Sequence, residues 1–145
     1  MSVKFVYSKG LKFDKNKEQL LDKVITNIRE ILLLPETIII EFNNLQQNNY
    51  GETVLNTTVQ NRIKLQYSLS YKESIFVLSH ELVHLSQIQC GQLSYTKNGD
   101  YLWEGIKYCN CVELKTMPYE AYQQLPWELD VVKKQQKILD HLLKN

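Results

Sequence analysis

The segment from Ser70 to Gly91 constrains this chain more than any other. Ser70 followed three residues later by Glu73 is a capping box, the reciprocal pair that satisfies the first free amides of a helix. Gly91 supplies the residue type that most easily closes one, so the helix is predicted to run to about Gln89. Within it Ile75, Leu78, Leu82 and Leu85 form one apolar face, while Phe76, Val77, Val83 and Ile88 flank another. A helix that is apolar nearly all round is predicted to be buried. Into this helix are set His80 and His84, two of the three histidines of the chain. Buried imidazoles need polar partners, and a metal ion is a good one.

Residues four apart share a helical face. His80-Glu81-Leu82-Val83-His84 is H-E-x-x-H, in which both rings can reach one Zn2+ ion and the intervening Glu81 can act on water as general base. Catalytic zinc commonly takes three protein ligands, so a third is required. Pro126 suits the first position of a final helix reaching about Leu143. On that helix Glu128, Val131, Gln135, Ile138 and Leu142 form one stripe. Glu128 thus heads a mostly apolar face, where an uncompensated carboxylate is costly, and it is the preferred third metal ligand beside His80 and His84. The competing reading is an acidic residue that complements the helix dipole. Glu120 is the second choice for the ligand.

Other candidates are weaker. Cys90 stands where an extended metzincin motif would carry its third histidine, but Gln87 occupies the position that motif needs as glycine, so Cys90 reads as a small buried residue. His141 reads as a solvated ring near a helix C-terminus. Cys109 and Cys111 would share one face of a strand, and a lone C-x-C carries little metal signal. A purely structural zinc would want a fourth, usually cysteine, ligand, and none presents itself.

The 145 residues, 43% apolar and 23% charged, fit one globular domain spanning 1–145. A net charge of +1 offers no basic surface for nucleic acid. No apolar run approaches the roughly 18 residues of a membrane span. Met1-Ser2-Val3-Lys4 lacks an apolar signal core, and three cysteines fit free thiols in a reducing, cytoplasmic setting. Periodicity predicts a helix over 15–34 stopped by Pro35, and a short strand over 37–42. Two further strands, over 50–56 and 62–67, follow. Asn98-Gly99 marks a hairpin between 93–97 and 101–104. A strand or loop over 107–114 and a helical turn from Pro118 complete the chain.

H-E-L-V-H at 80–84, with Glu128 inside Leu125-Pro126-Trp127-Glu128, resembles the gluzincin zinc metallopeptidases, in particular their small single-domain members. The run from Tyr101-Leu102-Trp103-Glu104-Gly105 to Tyr122-Gln123-Gln124-Leu125-Pro126-Trp127-Glu128 is similar to small metallopeptidases assigned in bacteria and their phages. The resemblance implies an α+β, zincin-like fold. It would comprise an N-terminal helix, a small twisted and mostly antiparallel sheet, the zinc-bearing helix, a hairpin, and a C-terminal helix carrying the third ligand. It also implies zinc on His80, His84 and Glu128, and Glu81 as the base. The chain departs from the pattern where many gluzincins place an acidic residue four positions after the glutamate ligand: here Val132 stands there, and Asp130 lies elsewhere on the helix. The second partner of the histidines is therefore unassigned.

The expected reaction is hydrolysis of a peptide or protein substrate, with Glu81 passing a proton from water to the leaving amine. Tyr108, Tyr119 and Tyr122 are candidate donors to the oxyanion. An exposed strand edge over Gly51–Leu55 is the expected docking place for an extended peptide. The small size keeps a second reading open, a zinc-containing peptide- or protein-binding module with a degenerate peptidase site. A third, a protease acting on DNA-bound proteins, is disfavoured by the near-neutral charge.

Overall fold

A computed structural model describes residues 2–46, 48–54 and 61–144. The chain is mixed α and β, with two sheets and five helices among the described residues. Strand β1 (Ser2–Tyr7) opens it, an element absent from the periodicity reading. Val3, Phe5 and Tyr7 alternate toward the core, but Val6, 40% exposed, sits on the polar side and obscures the pattern.

Helix α1 (Lys15–Ile28) starts on Asp14, whose side chain accepts from the amide of Lys17, and buries Leu21, Val24, Ile25 and Ile28. It ends short of the predicted Leu34. Beyond it, Ile31 bonds three residues back to Ile28, and the Arg29 guanidinium donates to the carbonyls of Pro35 and Glu36. The chain is thereby turned before Pro35 can act as the stop. Strand β2 (Thr37–Asn43) buries Ile38, Ile40 and Phe42 on alternate positions. Strands β3 (Gly51–Thr53) and β4 (Arg62–Gln66) follow. The expected continuation of β3 through Leu55 and Asn56 lies outside the described residues.

The larger sheet has the order β1-β2-β4-β3. β1 and β2 are parallel, β2 and β4 are parallel, and only β3 runs antiparallel to its neighbour β4. The expectation of a mostly antiparallel sheet is corrected here. With β1 present, α1 becomes the crossover that parallel neighbours require. β3 is left at the edge.

Helix α2 (Tyr71–Gln89) begins on the predicted Ser70–Glu73 capping box and ends at Cys90, with Gly91 at φ +79°. The second sheet is wholly antiparallel: β5 (Leu93–Tyr95), β6 (Asp100–Trp103) and β7 (Ile106–Asn110). Its first turn is the expected one at Asn98-Gly99, where Gly99 has φ +85°. Its second, Glu104-Gly105, has φ of 52° and 83°, the paired positive values of a type I′ hairpin.

Short helices α3 (Cys111–Thr116) and α4 (Tyr119–Tyr122) lead to α5 (Pro126–Lys144). Cys109 lies in β7 while Cys111 opens α3, capped by Asn110, so the two do not share a strand face as expected. α1, α2, α5 and the larger sheet enclose the main core, where Phe42, Leu65, Leu82, Val131 and Ile138 meet. Leu93, Cys109, Leu125 and Trp127 form a second, smaller cluster under the antiparallel sheet. Among the described residues no helix is long and apolar enough to cross a membrane.

Candidate metal centre

The seam between the two cores holds the polar cluster. On α2, His80 and His84 project from one face with ring centroids 5.0 Å apart. Across from them α5 begins at Pro126, with the amides of Glu128 and Leu129 bonded to the carbonyl of Leu125. Burial of Val131 and Ile138 seats α5 on the core, and this places Glu128, one turn earlier on the same stripe, against the histidines. Glu128 Oε1 lies 3.3 Å from His80 Nε2, and its Oε2 lies 2.9 Å from His84 Nε2. One donor atom from each of the three residues falls within 4.8 Å of the others. Two imidazole nitrogens and a carboxylate oxygen are a donor set suited to zinc. Its composition and spacing fit the ion, and the half-exposed His80 leaves a side open to solvent.

Electrostatics within the cluster are strong because it is buried. Burial alone would drive His84 toward its neutral form, but Glu128, with smaller help from Glu81 and Gln87, holds its pKa up at about 9. Burial would likewise raise Glu128; bonds and charge from His80 and His84 instead bring it down to about 2. In the metal-free protein the pair is thus an ion pair at neutral pH. A divalent ion would replace the imidazolium protons as the counter-charge.

Glu81 is 8% exposed and is held from β3. The Thr53 hydroxyl lies 2.8 Å from Glu81 Oε1 and 3.0 Å from its carbonyl oxygen. β3 can come this close because Gly51 has no side chain: a Cβ there would sit 2.5 Å from Val77 Cγ1 and 3.3 Å from Glu81 Cγ. Glu81, His84 and Glu128 line a cavity of about 290 Å³ with Gly51, Thr53 and Tyr122. Ile88, Leu93, Leu114 and Trp127 add an apolar wall.

Of the three candidate tyrosines, Tyr122 reaches the cluster. Its hydroxyl donates to Glu128 Oε2 at 3.2 Å, and burial, reinforced by Glu128 and Glu81, pushes its ionisation well above the usual phenol range. Tyr108 packs edge-on against Trp127, and Tyr119 is 69% exposed. Glu120 is exposed and stands outside the ligand cluster. Cys90 is exposed at the helix end, not buried as expected, because α2 closes there and the chain turns out at Gly91. His141 is not simply solvated: its Nε2 lies 3.1 Å from both the carbonyl of Asn27 and a carboxylate oxygen of Glu30, where α5 crosses α1.

Sequence reasoning missed Thr53, Tyr101 and Gln87. Tyr101 stacks on Trp127 at 5.9 Å and lines the cavity. Gln87 is fully buried and lies 2.9 Å from His84 Nδ1; its spacing of three residues from His84 makes them helical neighbours and was the available signal. No family model, curated protein or solved structure matches this chain.

Proposed function

We propose that the chain is a zinc-dependent metallopeptidase that hydrolyses peptide bonds. The observation that carries this reading is the convergence of His80, His84 and Glu128 from two helices, with Glu81 lining the cavity that His84 and Glu128 also line. Zinc, when bound, supplies the Lewis acid that makes water acidic near neutrality and polarises a carbonyl. Glu81 then serves as general base, taking the proton from water and passing it to the departing amine. Thr53 keeps that carboxylate in a single place through its hydroxyl. Tyr122, protonated through the neutral range, has an O–H that can turn from Glu128 to a developing oxyanion. β3 ends the sheet order and contributes Gly51, Glu52 and Thr53 to the cavity. An extended substrate would pair along that edge by its main chain.

Incubation of the purified protein with a diverse peptide library, with and without a zinc chelator, tests the proposal. Cleavage that disappears with chelator and returns with zinc is expected. Chelator-sensitive binding of peptides without any cleavage would instead make the cavity a recognition groove.

A further inference from the structure

Gln87 lies on α2 one turn past His84, and its amide meets three groups. Oε1 is 2.9 Å from His84 Nδ1, while Nε2 is 3.0 Å from the carbonyl oxygen of Trp127 and 2.9 Å from Oδ2 of Asp130. A carbonyl and an ionised carboxylate only accept, so both amide protons are engaged there. Lys134, 2.8 Å from the same Asp130 oxygen, pairs its charge. Turning the amide over would set its oxygen against two acceptors, so the network fixes its orientation. Oε1 therefore faces His84 as an acceptor and requires the proton on Nδ1. In the neutral ring the lone pair is left on Nε2, the nitrogen that points to Glu128.

We propose that Gln87 is the positioning residue of the metal centre: its buried amide selects the His84 tautomer that ligates through Nε2 and ties the ligand-bearing turn of α5 to α2. The inference rests on the zinc reading above and extends it. Trp127 and Asp130 flank Glu128 by one and two residues, so the two amide protons hold the segment that carries the third ligand. In effect a glutamine on the histidine helix, backed by an aspartate, does what a carboxylate bonded directly to the ring does in other metal sites. Val132, 73% exposed, takes no part.

The test compares zinc affinity, by competition with a chromogenic chelator, in the parent and in Gln87→Met, and reads the ring nitrogens of His84 by long-range ¹H–¹⁵N spectra. Zinc binding about 10–100-fold weaker in the variant is expected, with a parent ring protonated at Nδ1 and coordinated at Nε2. Equal affinities, or a parent ring that coordinates through Nδ1, would overturn it. If the parent binds no zinc, the metallopeptidase reading fails by itself. The metal-free ring, read in its neutral form, then decides: an Nδ1–H tautomer bonded to Gln87 supports the role of Gln87 and an Nε2–H tautomer refutes it. The parent spectrum decides likewise should Gln87→Met not fold.

Discussion

Helices α2 and α5 are each 19 residues long and hold the two halves of the site by different means. α2 is wrapped on nearly every side from Leu78 to Gln87, the exception being the half-exposed His80, so its histidines are fixed by the packing of their neighbours. α5 buries only Trp127, Glu128, Val131 and Ile138 and turns Leu129 and Val132 to solvent. Its Glu128 is held by local devices: the bonds to Leu125 at the helix start, the stacking of Trp127 on Tyr101, and the reach of Gln87 across from α2. A polar side chain on a buried helix is placed by the core, whereas one on an amphipathic helix needs polar ties as well.

The largest effect expected concerns a side chain that the packed helix carries outside the proposed ligand set. Glu81→Gln should retain zinc and lose about 10²–10⁴-fold in the rate of hydrolysis of an unfolded protein substrate, measured beside the zinc content of the same sample. A variant that cleaves as fast as the parent removes the base from the mechanism.

The link between the helices has a pH signature in the metal-free protein. With its pKa raised to about 9, His84 contributes stability in full below its unfolded value near 6.5 and loses it as pH rises through 9. Glu128, depressed to about 2, contributes in full above its unfolded value near 4.5 and loses that as pH falls. Resistance to urea should therefore peak between about pH 4.5 and 6.5, and fall by on the order of 3 kcal/mol by pH 9.5. Saturating zinc should reverse that slope, since protons compete with the metal for imidazole. Identical urea midpoints at pH 6 and 9.5 without metal would show that the pair does not couple the helices.

The smallest effect probes the packing of β3 on α2. Gly51→Ala drives a methyl group against Val77 and should cost about 1–3 kcal/mol of stability by urea titration. It should also lower hydrolysis by displacing Thr53 from Glu81. A variant as stable as the parent would mean that β3 is free to move away from α2.

The halves of the site were unequally legible in the sequence. The capping box at Ser70, the histidine spacing and the stripe headed by Glu128 are local patterns, and each corresponds to an element found. β1 escaped notice because it gains its meaning from a partner more than 30 residues away, Ser2 pairing with Thr37. The same long-range pairing made the sheet largely parallel. Thr53 and Gln87 were hidden for a related reason. Thr53 meets Glu81, and Gln87 meets Trp127 and Asp130, across the fold; the three-residue spacing of Gln87 from His84 marks only its contact within α2.

Zinc content of the purified parent and of Glu128→Ala, measured by elemental analysis after dialysis, tests the central claim most directly. One equivalent in the parent and far less in the variant is the predicted result. An equal metal content in the two proteins, or none in the parent, would contradict the account.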